Sequence, residues 1–147
     1  MCIEKESKLS TMVELGKLHN LHRPDMSRTN VDSQCLGVLV NSFKRLRYLD
    51  ISETKVMDIS CLTQLKSSLR SLFHNKFKVS SIESFRQMLL TILEVKELRT
   101  LEVSNIEYRA DSRLREVDRL IEPGMLPHLE HSEMGGNTFP FGLFDIP

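Results

Sequence analysis

The sequence predicts an α/β solenoid, in which short parallel strands stack into one concave sheet and helices return along the convex side. Three observations predict it. The stretch Leu46-Arg47-Tyr48-Leu49-Asp50-Ile51-Ser52-Glu53-Thr54-Lys55-Val56 alternates apolar Leu49 and Ile51 with polar Asp50 and Ser52, the period of a strand with one buried face. The stretch recurs along the chain. The segments between copies carry apolar residues at helical spacing.

Leu21-His22-Arg23-Pro24-Asp25-Met26-Ser27-Arg28-Thr29-Asn30-Val31 lies over the first stretch without a gap. Leu69-Arg70-Ser71-Leu72-Phe73-His74-Asn75, Leu98-Arg99-Thr100-Leu101-Glu102-Val103-Ser104-Asn105 and Leu129-Glu130-His131-Ser132-Glu133-Met134-Gly135-Gly136-Asn137 follow. The anchoring leucines are 21, 46, 69, 98 and 129, in steps of 25, 23, 29 and 31. Units of about 20–29 residues with an L-x-x-L-x-L core indicate leucine-rich repeats, each unable to bury its apolar face alone. The expected array has about five repeats over residues 21–138 and is incomplete.

Residues 1–20 read as a helical lead-in, with Leu9, Met12 and Val13 on one face. Asp25 to Val31 is the first strand and its exit turn. Leu36, Leu39, Val40 and Phe43 then mark a helix over 35–43, and the second strand spans 47–51. Ile59, Leu62 and Leu65 form a shorter convex piece. The third strand, near 70–74, carries His74 where the other copies have Ile51, Val103 or Met134; a buried imidazole must satisfy its nitrogens, so this repeat is expected to be distorted or partly open. Ile82, Phe85, Met88, Leu89, Ile92 and Leu93 make the strongest helical stripe, over 81–96, with Ser80 and Glu83 spaced as a capping box. Leu98 to Val103 is the fourth strand, 112–121 a further helix stopped by Pro123-Gly124, and 130–134 the fifth strand. The apolar tail, 139–147, reads as the beginning of a truncated next element.

Thr29, Thr54 and Asn137 occupy the place where such repeats often carry Asn, a side chain that satisfies backbone groups in the turn. Phe77 and Ile106 stand there in the third and fourth repeats, so those two turns are expected to be built differently.

Chemistry-bearing motifs are few. There is no phosphate loop, no Gly-x-Ser-x-Gly, no His-Glu-x-x-His and no Cys-x-x-Cys, so no enzyme activity, catalytic residue or cofactor is predicted. His19/His22 and His128/His131 have a spacing that chelates metal on a helix. Both pairs fall at strand starts, where residues three apart point to opposite faces, so no metal is predicted. Cys35 and Cys61 follow their strands at similar distances and read as small hydrophobes in one buried seam, against the alternative of a reactive thiol. Twenty Lys and Arg balance twenty Asp and Glu, which argues against nucleic acid or an anionic membrane as partner. Lys44-Arg45 with Arg47 reads as a solvated helix end. The polar start and the scarcity of cysteine point to an intracellular, cytoplasmic or nuclear chain.

The wording Leu-Asp-Ile-Ser-Glu-Thr at 49–54, followed by Val56-Met57-Asp58-Ile59-Ser60, resembles repeats of the zyg-eleven family, as does the segment Leu129 to Pro147. The resemblance covers about residues 20–147. It implies a leucine-rich repeat part of a substrate-recognition subunit of a cullin-RING ubiquitin ligase, with ligase subunits and a degradation substrate as protein partners. Neither the adaptor-binding box nor the armadillo-like repeats of that family are found in this sequence, so no degron-binding residue carries over. A generic leucine-rich repeat adaptor or a structural spacer is the alternative.

Positions 48, 50 and 52 face away from 49 and 51 in a strand. Stacking the repeats makes a column of Asp25, Asp50, Phe73, Glu102 and Glu133, beside Tyr48. Four of its five members are acidic in a neutral chain. This is the candidate concave interaction surface, either soluble dressing or an attractor for a basic segment.

Overall fold

The leucine pairs 46/49, 69/72 and 98/101 are fully buried, and the strands that carry them lie side by side in one parallel sheet. The structure, a computed structural model, describes residues 23–108 and 124–133. The lead-in 1–20, Leu21, His19/His22, the helix 112–121, Met134, Gly135-Gly136, Asn137 and the tail 139–147 lie outside these described residues.

The sheet contains β1 (Tyr48–Asp50), β2 (Ser71–Phe73), β4 (Thr100–Glu102) and β6 (His131–Glu133), in that spatial order. Leu49 lies opposite Leu72, Leu72 opposite Leu101 and Leu101 opposite Ser132, so the register is the one given by the anchoring leucines. The expected first strand is reduced to one bridge, Asp25 to Asp50, with Pro24 buried where β1 has Leu49. Proline has no N–H to donate, which shortens any ladder through it. A two-stranded parallel sheet, β3 (Lys78–Val79) with β5 (Glu107–Tyr108), forms after the turns.

Helix α1 (Ser33–Ser42) is capped by the Asp32 carboxylate, which accepts from the Cys35 amide at 2.9 Å. It buries Cys35, Leu36, Leu39 and Val40. The exposed Lys44 and Arg45 follow its end, and the Lys44 ammonium bonds Asn41 and Gln64. The short convex piece is a 3-10 helix, Ser60–Leu65, in which a period of three stacks Leu62 over Leu65 against the core. Helix α2 (Ile82–Glu94) buries Phe85, Met88, Leu89, Ile92 and Leu93. Its cap is one residue later than the expected Ser80: Ser81 accepts from the Ser84 amide, and Glu83 bonds Gln87 instead of closing a capping box. The strand leucines and these helical residues form one core, at about 1.5–3 kcal/mol per buried side chain.

Three further expectations are corrected. β2 is regular, not distorted, and His74 after it is fully buried. The third and fourth turns share the backbone of the first two. Arg28, Glu53, Lys76 and Asn105, at the same place in each repeat, all have left-handed φ of 57°, 56°, 53° and 54°. The reason lies in the ladder, because the Arg28, Glu53 and Lys76 amides each donate at 2.9 Å to the next repeat, at Ser52, Asn75 and Ser104 carbonyls. Only the closing side chain differs. Thr29 and Thr54 hydroxyls donate to the Met26 and Ile51 carbonyls at 2.6 and 2.7 Å, whereas the Phe77 ring stacks on His74 at 3.9 Å. The two cysteines are not equivalent: Cys35 is buried, while Cys61 is only half-buried in the 3-10 helix.

Candidate interaction face of the sheet

Alternation in four parallel strands sends the leucines toward the helices and the intervening residues to the opposite, open face. That face carries two columns. One runs Tyr48, Ser71, Thr100, His131 and the other Asp25, Asp50, Phe73, Glu102, Glu133. All six residues of the sequence-derived surface therefore lie on one face.

The acidic residues have different occupations. One Asp25 carboxylate oxygen accepts from both the amide and the hydroxyl of Ser27, at 2.9 and 2.7 Å. These bonds, the hydroxyl first, hold the Asp25 carboxyl below its ordinary range. Asp50 accepts from the Ser52 amide at 2.9 Å. Aspartate at this position thus ties down the strand exit, a local reason for the acid. Glu102, one methylene longer, makes no such bond: the amide two residues on, at Ser104, donates to the Asn75 side chain instead. Glu102 has instead the His131 imidazole 3.8 Å away.

Between the two acidic pairs sits an aromatic patch. Tyr48 and Phe73 rings are 5.0 Å apart, tilted by 37°, and the Arg23 guanidinium lies 4.9 Å over the Tyr48 ring. Burial, then the Asp50 and Asp25 carboxylates, push the Tyr48 phenol above its ordinary value. Both rings are half-buried by the sheet and present their remaining surface on its open side.

The strand exits carry two ladders that sequence reasoning missed. Ser52 accepts from the Asn75 amide at 3.1 Å, and the Asn75 side-chain oxygen accepts from the Ser104 amide and hydroxyl at 2.7 and 3.0 Å. The left-handed residues beside them form an alternating charge row, with Glu53 taking Arg28 at 3.3 Å and Lys76 at 3.2 Å. The alignment already placed Ser27, Ser52, Asn75 and Ser104 in one column, so the polar ladder could have been found there.

Away from this face, a groove of about 440 Å³ lies between the 3-10 helix and α2, lined by Met57, Asp58, Ser60, Ser84, Gln87 and Met88. It opens because a short 3-10 helix neighbours a longer α-helix. Neither Cys35 nor Cys61 is poised as a nucleophile. Cys35 is buried, and burial followed by the Asp58 charge pushes the Cys61 thiol up to about 11. His74 is enclosed in the core and not aimed into a cleft. Burial pushes its pKa down to about 4, against a smaller opposite pull from the Val56 backbone. Neither ring nitrogen has a partner at hydrogen-bonding geometry. Among the described residues, no helix is long and apolar enough to cross a membrane.

No protein-family model matches the sequence, and no curated protein matches it either. Among solved structures, the chain is similar to the crystal structure of an internalin C2 from Listeria monocytogenes, with a TM-score of 0.50 at 21% identity. The match covers 82% of this chain and 44% of that one, so this chain spans less than half of its neighbour's length. Internalin C2 is a leucine-rich repeat protein, and the parallel sheet backed by helices fits the same α/β leucine-rich repeat fold.

Proposed function

We propose that the chain is a non-catalytic protein-interaction module that receives a basic, extended segment of a partner on the open face of its sheet. The observation that carries this reading is the half-buried Tyr48–Phe73 pair, set between Asp25 and Asp50 on one side and Glu102 and Glu133 on the other. Aromatic residues with partly covered rings are preferred anchors at interfaces, and surrounding carboxylates select a cationic ligand. In this reading the array is a solenoid of five repeats over residues 21–138, preceded by the lead-in and followed by the apolar tail.

The test removes charge without disturbing the turns. Asp50→Asn keeps an oxygen for the Ser52 amide, and Glu102→Gln keeps the size of the side chain. The double variant should bind a basic peptide, such as an Arg- and Lys-rich decamer, more weakly than the parent at low salt. The difference should shrink as salt rises, because exposed charges are screened. Equal affinity at low salt, with circular dichroism unchanged, would leave the acids as solubilising dressing.

A narrower reading makes the module the leucine-rich part of a cullin-RING substrate receptor, acting inside the cell. Its support is the resemblance of 49–60 to zyg-eleven repeats. Co-purification from cells, with mass spectrometry for elongin and cullin subunits, tests it. Recovery of neither leaves the generic adaptor or the structural spacer.

A further inference from the structure

The junction of β4 and β6 gathers three metal-ligating side chains. Register places Glu102 opposite Glu133 and Thr100 opposite His131. Residues two apart in a strand share a face, so both carboxylates and the imidazole stand together on the open side. One donor atom from each lies within 4.8 Å of the other two. His131 Nε2 and Glu102 Oε1 are 3.8 Å apart, too far for a hydrogen bond. That separation is close to the roughly 3.4 Å between two ligands of one tetrahedral ion with bonds of about 2.0–2.2 Å.

Electrostatics point the same way. Like charges directly opposite in neighbouring strands repel. Among the described residues, no Lys or Arg forms an ion pair with Glu102 or Glu133; Arg99 is engaged with Glu130 at 2.8 Å and Arg70 with Glu97 at 3.3 Å. A divalent ion would turn this repulsion into ligation. One imidazole nitrogen with two carboxylate oxygens is a donor set that zinc accepts, leaving a fourth position open to water, whereas calcium and magnesium favour oxygen alone. His131 is 58% and Glu102 26% exposed on the side chain, so solvent reaches that fourth position.

We propose that Glu102, His131 and Glu133 bind a divalent cation of the zinc class between β4 and β6. The site shares Glu102 and Glu133 with the proposed peptide face, and its probe, the metal alone, tests it separately from that reading. The full chain is titrated with Zn2+ by calorimetry, and the imidazole resonances are followed by NMR. Zn2+ should shift the His131 ring signals at substoichiometric addition, before those of His128. His131→Gln and Glu102→Gln should each weaken the tightest binding event at least about tenfold, since even outer-shell changes at zinc sites cost that much. His128→Gln should leave it unchanged. Unperturbed His131 resonances in the parent chain overturn the proposal whether or not the variants fold. Zn2+ affinity retained in both variants, or Mg2+ binding as tightly as Zn2+, overturns it equally, the latter reducing the site to an acidic patch.

Discussion

The turn after β1 and the turn after β2 trace the same backbone, with Glu53 and Lys76 at φ of 56° and 53°, yet they close on opposite chemistry. In the first, the Thr54 hydroxyl donates to the Ile51 carbonyl and Ile51 points into the core. In the second, Phe77 is buried, and its ring stacks on a buried His74 whose nitrogens have no partner at hydrogen-bonding geometry among the described residues. The turn is thus imposed by stacking: the left-handed amides of Arg28, Glu53 and Lys76 each reach the neighbouring repeat's carbonyl, whatever the side chain. Side chains then fill the space left beneath, with a hydrogen bond in one case and a ring stack in the other.

The largest effect comes from breaking the layer beneath both turns. Leu49→Asp and Leu101→Asp bury an unpaired carboxylate, at a cost on the order of 4–5 kcal/mol or more. Both variants should lose cooperative thermal unfolding, or melt more than about 10 °C below the parent. A melting point within a degree or two would mean that these residues do not face the core.

Acid should separate the two turns. The folded-state pKa of His74, about 4, lies below the ordinary value of 6.5, so the folded chain binds fewer protons than the unfolded one. Stability from this group is complete above about pH 6.5 and is lost as pH falls toward 4, by about 3 kcal/mol in all. His74→Ile, which copies the Ile51 turn, should remove that part of the acid sensitivity in urea titrations at pH 7, 5.5 and 4. At pH 7 it should also stabilise by roughly 1–3 kcal/mol, the cost of unpaired buried polar atoms. A destabilised variant would show that the imidazole has a partner worth more than its burial costs.

Smaller changes sharpen the contrast. Thr54→Val deletes the hydroxyl's bond to the Ile51 carbonyl and the longer bond it accepts from the Val56 amide at 3.4 Å, and should cost about 1–2 kcal/mol by urea denaturation. The same change has no counterpart at Phe77. Lys76→Gly should be more stable than Lys76→Ala by about 0.5–1 kcal/mol, because both lose the Glu53 ion pair and only glycine adopts positive φ freely. Equal stabilities would mean that the left-handed turn carries no strain.

Much of the layout was legible in the sequence because repeats repeat their errors as well as their rules. The anchoring leucines set the register of β1, β2, β4 and β6, since a slip of one residue would have turned Leu49, Leu72 and Leu101 to solvent. The short convex piece was legible in Ile59, Leu62 and Leu65, though not its 3-10 winding, and α2 was legible as a long stripe. The cap of α2 was misplaced because two adjacent serines both suit the role, and only the direction of the Ser84 amide selects Ser81. His74 was misjudged because its residue type argued for water, whereas the stack on Phe77 and the neighbouring strands left it no path to solvent.

The sequence by itself determined the alternation of buried and open residues and the column of Asp25, Asp50, Phe73, Glu102 and Glu133, because these depend on local period and residue type. Only the tertiary structure decided the common left-handed turn, the tilted Tyr48–Phe73 pair and the meeting of Glu102 with His131. Those depend on distances between repeats 23 to 31 residues apart, which the ladder of backbone hydrogen bonds sets and no single segment encodes.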